Sequence, residues 1–359
     1  MRKKLAALLL SSTLFASYCP GPPLVSMDCA PEPTCEKKCT QPCSDYENPP
    51  ARCCLESQGL TISASFLYWQ SKVQDLPYGV LISDPTNLLQ TTGEKLTANY
   101  GGDPGFNVAL GINMPWDGWS FRFLYTWLST CATGSKTSAT SQILPIWLTP
   151  GSQPPITDTG FTDQASMTWD LFYNTLDLEI DRAYQISHSN TFRPFFGVRS
   201  AWIDQDIKVN YGDIIRSSSF DLRANINVDQ DLWCIGPRIG FEDTWGILPG
   251  VRLFGLLSAA FLWGDMDVDG RVTGALLAPP LPINQIQKQS EHRFSPNMQA
   301  ALGVDCRACF KAWRSSLYFK AAYELNYYWD QIAAWNFADV YPRHNLMLHG
   351  LTATLGYDF

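Results

Sequence analysis

From residue 60 onward the chain alternates apolar and polar side chains, the period of a strand whose two faces meet different surroundings. The clearest run sets Phe106, Val108, Leu110, Ile112 and Met114 against Asn107, Ala109, Gly111 and Asn113. The next sets Trp119, Phe121, Phe123, Tyr125 and Trp127 against Ser120, Arg122 and Thr126. Comparable runs cover 60–69, 192–202, 233–241, 251–263, 294–304, 317–327 and 351–359. Between 167 and 180 the apolar set changes phase after Tyr173 and is carried by Leu176, Leu178 and Ile180, which predicts a β-bulge near Asn174.

Soluble sandwiches alternate too, so the decision rests on length and ends. These runs reach about ten residues, the length a tilted strand needs to cross a bilayer, where soluble strands average about five or six. Aromatic residues gather at their ends: Tyr68 with Trp69, Trp116 with Trp119, Trp127, Trp202, Trp245, Trp263, and Tyr327 with Tyr328 and Trp329. Rings at both ends are what interfacial girdles require. Connections alternate as well: long near 71–104, 129–165, 268–290 and 330–345, with a tall hairpin near 211–219, and short near 115–118, 183–190, 244–249 and 307–314. The expected fold is therefore all-β: a closed antiparallel transmembrane β-barrel of about ten strands, with long extracellular loops and short periplasmic turns. If 208–229 or 268–274 held further spanning strands, the number would be twelve. Ten is preferred, because 220–228 reads as a strand continuing above the membrane.

Composition sharpens this picture. Charged residues make up only 17% and aromatic residues 13%, so something other than water faces many of the rings. The net charge of -8 argues against a nucleic-acid partner. Arg2, Lys3 and Lys4 precede an apolar run over 5–16 that ends in small residues, the form of an export signal cleaved near residue 17. Cys19 raises the option of a lipid-modified N-terminus, although Tyr18 is bulky for that motif. The expected organisation is a signal peptide over 1–17, a Cys- and Pro-rich periplasmic extension over 18–57, and a barrel over 58–359. The chain stops at Phe359, after Leu351, Ala353, Leu355 and Tyr357 at alternate positions. That closing strand resembles the signal read by the barrel-assembly machinery of Gram-negative bacteria, so this machinery and outer-membrane lipid are the expected partners.

If the apolar set faces lipid, the other set faces the lumen. Arg122, Arg193, Arg199, Arg238, Arg252, Arg293 and Lys320 fall on it, with Asp170, Asp177, Glu179, Glu242, Asp305 and Glu324. A charge at the lipid midplane costs roughly 2 to 4 kcal/mol, so this parity is informative. Such a lining suits a constriction that sorts solutes by charge; equally, opposite charges could pair and fill a narrow barrel. In an exported chain, Cys29, Cys35, Cys39, Cys43, Cys53 and Cys54 are disulfide candidates, and their spacing lacks the paired rhythm of zinc modules. Cys306 and Cys309, expected in a periplasmic turn, are candidates too. Cys131 and Cys234 receive no role. Such crowding could also join barrels to one another or to other envelope proteins. The four histidines are scattered, so no catalytic residue, metal or cofactor is assigned and an enzyme is not expected. A protease remains the catalytic alternative, through His292 near Glu291 or His344 near Asp339.

Short motifs in a fixed order carry a family resemblance: Phe66-Leu67-Tyr68-Trp69, Pro104-Gly105-Phe106, Leu176-Asp177-Leu178-Glu179, Arg193-Pro194-Phe195-Phe196-Gly197-Val198-Arg199, Trp202-Ile203-Asp204-Gln205, Gly236-Pro237-Arg238 and His349-Gly350-Leu351. Together they resemble the pore-forming major outer-membrane proteins of Legionella type, which also occur in relatives of Chlamydia. The resemblance implies an outer-membrane barrel with porin-like activity and no catalytic residues. The Cys-rich stretch departs from the Legionella pattern and looks more like the cysteine-dependent envelope of chlamydial relatives. Passive diffusion of small hydrophilic solutes is thus the expected function, with a disulfide-linked envelope protein or a surface adhesin as alternatives.

Overall fold

Every strand the alternation predicts is present in the computed structural model. It describes residues 59–359 apart from 75, 83–92, 115–117, 140–141, 148–160, 188, 216–221, 249, 278–279, 311–314 and 334–342. The expected signal peptide, the Cys-rich stretch and its seven cysteines lie outside the described residues. Ten strands form the wall: β1 Leu60–Val73, β2 Gly102–Asn113, β3 Trp119–Thr137, β4 Gln164–Arg182 and β5 Asn190–Ile215, then β6 Leu222–Leu248, β7 Val251–Leu277, β8 Pro280–Phe310, β9 Ser315–Ala333 and β10 Arg343–Asp358. Each pairs antiparallel with its chain neighbours, and β10 pairs back onto β1 with Ala353 opposite Phe66. The ring therefore has no free edge, the condition for a sheet in hydrocarbon. Tight turns join strands at the end that holds residue 60 and Phe359, using left-handed backbone at Gly118 (φ 67°) and Gly250 (φ 80°).

Near that turn end the outer wall is apolar and exposed. Phe66, Phe106, Leu110, Phe121, Leu178, Ile239, Phe261, Leu302 and Leu351 all project outward. About ten residues per strand, ~3.3 Å apiece and tilted ~45°, rise ~23 Å, the height of a hydrocarbon band. Inward positions over the same height carry Arg122, Asp177, Glu179, Arg199, Arg238 and Asp305.

Above this belt the two faces exchange chemistry while the backbone keeps its parity. Along β5 the outward Phe196, Val198 and Trp202 give way to Asp204, Asp206 and Lys208, and the inward Arg193 and Arg199 to Ala201, Ile203, Ile207, Val209 and Tyr211. On β7 the outward Phe261 and Trp263 are followed by Asp265, Asp267 and Asp269, while Leu262, Met266, Val268 and Val272 turn inward. This half of the barrel stands in water and encloses a dry core.

The exchange also explains the phase change on β4. There is no bulge at Asn174, because β4 keeps unbroken register with both β3 and β5 through residues 165–181. Met167, Trp169, Leu171 and Tyr173 are buried inward at the same parity as Asp177 and Glu179. Asp170 consequently faces outward, opposite Asp206, and does not belong to the lumen. The segment near 268–290 is a hairpin of β7 and β8 paired from the belt to Leu277 opposite Pro280, instead of a loop. Trp69 and Tyr328, expected in the girdles, point inward and are buried.

The loop end is roofed by pieces of the first two long connections. Pro77–Ile82 pairs with Gly93–Thr97 and with Ile143–Pro145, and Phe161–Thr162 joins them to the tip of β5. Tyr211 clasps both connections: its hydroxyl donates to the Tyr78 carbonyl (2.7 Å) and accepts from the Ile146 and Trp147 amides (3.3 Å each). Leu76, Tyr78, Ile143 and Trp147 are buried in the dry core beneath.

Candidate functional site

The site grows directly from strand register. Residues opposite one another on a sheet face are neighbours, and opposite charges there attract. Arg122 lies opposite Glu179, Arg199 opposite Asp177, Arg193 opposite Glu242, and Arg252 opposite Asp305, which in turn faces Lys320. Gly197 stands on β5 between Glu179 on one side and Arg238 on the other. A Cβ at Gly197 would run into the backbone of Leu178 and Glu179. The missing side chain lets Arg238 reach over β5 to both Asp177 and Glu179.

The result is one connected network. Arg199 grips Asp177 with two parallel bonds of 2.7 Å, and Arg238 adds a third at 2.8 Å. Arg122 bridges Glu179 (3.1 Å) and Asp181 (2.8 Å). Glu242 receives Arg193 at 2.8 Å and Lys320 at 3.2 Å. Gln299 accepts from Arg199 (2.9 Å) and Arg238 (2.6 Å), and its amide nitrogen donates to Glu324. Glu324 is otherwise held by neutral donors, Thr352 at 3.0 Å and Asn326 at 3.1 Å. Arg252 pairs with Asp305 apart from this core.

Twelve of the thirteen charged residues expected in the lumen thus face inward, Asp170 being the exception explained above. Arg293 faces inward but sits higher, donating to the Asp330 carbonyl (2.9 Å) and pairing with Glu291 (2.8 Å). Asp181 and Gln299 belong to the network and were not anticipated, although Asp181 simply continues the parity of Asp177 and Glu179.

Above the network the lumen narrows to a brace. Tyr173 on β4 and Tyr328 on β9, five strands apart in a ring of ten, share a hydrogen bond of 2.8 Å between buried hydroxyls. Below it lies a cavity of about 160 Å³. The charged network forms one wall, and small side chains such as Ser63, Ser65, Ala109, Ala301 and Thr354 form the other. That volume holds several waters.

The remaining sequence candidates are dispersed. Cys306 is free and exposed, and it lies with Cys309 in β8, not in a turn. Three residues of strand separate their Cα atoms by ~10 Å, past the ~7 Å limit for a bridge within the motif. His292 pairs with Asp265 on the outer face, and His344 is buried, with Asp339 outside the described residues. Among the described residues no group of three or more His, Cys, Asp or Glu is placed to hold a metal ion.

Residues 52–359 match the family described as Legionella pneumophila major outer membrane protein precursor. The chain belongs to this family. It is an outer-membrane β-barrel protein of a Gram-negative bacterium, so the turn end is periplasmic and the roofed end extracellular. No curated protein sequence matches the chain. Among solved structures it is similar to the outer membrane protease OmpT from Escherichia coli, at 9% identity and TM-score 0.42 over 84% of this chain and 96% of that one. It is similar also to a major outer membrane protein from Thermus thermophilus, at 11% and 0.27 over 84% and 98%. A third is the Ralstonia pickettii toluene transporter TbuX, at 9% and 0.28 over 87% and 92%. Likeness at this level carries no argument about what this family member does.

Proposed function

We propose that this family member is a porin-like channel for small hydrophilic solutes and ions, shut in the conformation described. One observation carries the reading: the interior is charged over the height of the lipid belt, where a barrel needing only to be filled gains nothing from charge. A buried ion pair is typically no better for stability than apolar side chains of the same volume. The same chain fills its lumen with Leu, Ile, Met and Val one layer higher, so apolar filling is within its means. Charge kept at belt height suits contact with water and ions.

Planar-bilayer recording tests this. The native protein should give infrequent conductance steps, and Tyr211→Ala, which unclasps the roof from β5, should make them more frequent. Silence from both proteins would refute the channel. A second reading, a structural envelope protein joined by disulfides, is favoured by the filled lumen and by the free, exposed Cys306 at the periplasmic rim. Non-reducing electrophoresis separates the two, since cross-linked multimers should fall to monomer with reductant.

A further inference from the structure

Tyr173 and Tyr328 stand where the lumen changes character. On β4 the inward side chains below Tyr173 are Thr175, Asp177 and Glu179, and those above it are Leu171, Trp169 and Met167. On β9 Tyr328 stands above Asn326 and Glu324, which line the cavity, while both tyrosines belong to the dry core. Their rings meet edge to face, with centres 5.9 Å apart and planes at 74°, and the bond between their hydroxyls completes a bar between opposite walls.

A bar meant only to hold the walls needs no hydroxyls, since apolar side chains fill most of the layer above. Each buried hydroxyl has the other as partner only while the pair is closed. Parted in a dry interior, the two lose that bond outright; parted in water, they exchange it for bonds of nearly equal strength. The pair therefore holds while the lumen is dry and yields once water reaches it. Tyr173 also lines the cavity of about 160 Å³ beneath it, which is room into which its ring can turn. A strut has no use for such room.

We propose that Tyr173 and Tyr328 are the size-determining residues of the pore, a second gate in series with the roof. The inference rests on the channel reading and divides the labour within it. The roof sets how often the path opens, and the tyrosine pair sets the size of solute that each opening passes.

Single-channel recording in planar bilayers tests this, in the Tyr211→Ala background so that openings are frequent. Tyr173→Ala with Tyr328→Ala removes both rings, and Tyr328→Phe removes only the bond; the heat-induced shift in gel mobility checks the fold of each. The alanine pair should raise unit conductance about twofold or more and admit larger polyethylene glycols to the pore, with opening frequency unchanged. Tyr328→Phe should keep the unit conductance and polymer cut-off of the background but show briefer closures within each burst, and it carries the test alone if the alanine pair does not fold. Conductance and cut-off unmoved by alanine, or closures unmoved by phenylalanine, would make the pair a strut and overturn the proposal. A change in opening frequency alone would merge the pair with the roof and overturn it equally. Silence from every protein, Tyr211→Ala included, would refute the channel itself and the proposal with it.

Discussion

Removing the Asp177 carboxylate decides whether the belt-level lumen is packed or wet. The Asp177 and Arg199 side chains are 4% and 3% exposed, and Arg238, also bound to Asp177, is 2% exposed. In a packed interior, Asp177→Ala leaves Arg199 buried without its carboxylate and Arg238 with Glu179 alone, and breaking such a buried pair costs about 3–5 kcal/mol. In a lumen filled with mobile water the same pair behaves as a surface pair, worth about 0–1 kcal/mol. The measurement is reversible urea unfolding in detergent, followed by tryptophan fluorescence, with midpoint and slope compared between native protein and variant. The structure predicts the larger loss. It also predicts that Asp177→Leu with Arg199→Met recovers much of it, because the pair is then replaced rather than broken. A loss below about 1 kcal/mol for Asp177→Ala would show water around the cluster and refute the packed lumen.

Two further outcomes follow from the outer face. Leu110→Arg, outward on β2 in the belt, should destabilise the refolded barrel in vesicles by up to about 2–4 kcal/mol, and an unchanged unfolding midpoint would displace the belt. Above the belt, the Asp204 carboxyl is pushed up to about 6, first by burial and then by Asp231 directly opposite. The folded state therefore binds this proton more tightly than the unfolded chain, whose value is 3.8. Stability should fall as pH rises through that window and be highest below it. Thermal unfolding from pH 4 to 7 should show this slope in native protein and a flatter one in Asp204→Asn; identical slopes would exclude Asp204 as its source.

Much of this was legible because alternation reports the contrast between two surroundings, and lipid against a charged lumen is a strong contrast. Strand number, the outward set and the inward charges all follow from that. The register that pairs Arg199 with Asp177, or lets Arg238 reach across Gly197, does not, since parity fixes a face but not a partner. Asp170 was misplaced for a different reason. A phase change in the apolar set arises either when the backbone slips or when the surroundings exchange, and β4 alone does not separate the two. Its neighbours do. Trp202 precedes Asp204 by two residues on β5, Trp263 precedes Asp265 on β7, and on β6, running the other way, Asp231 precedes Trp233. Three strands that trade a girdle tryptophan for an aspartate at one height mark a water boundary, which a bulge confined to one strand would not produce.

That boundary bears on the proposed channel. An apolar interior above the membrane needs a roof, since its open end would otherwise face water. Leu76, Tyr78, Ile143 and Trp147 supply one, all buried. At about 1.5–3 kcal/mol for each of these four large apolar side chains, lifting the roof costs ~6–12 kcal/mol. At 1.4 kcal/mol per tenfold, the spontaneously lifted fraction is on the order of 10⁻⁴ or lower. Lifting the roof would still leave Tyr173 joined to Tyr328 below it. The native barrel should therefore open rarely, and loosening the Tyr211 clasp should change how often it opens before it changes how much each opening carries. Steady, large conductance from the native protein would mean that the roof and the dry core are not its resting arrangement.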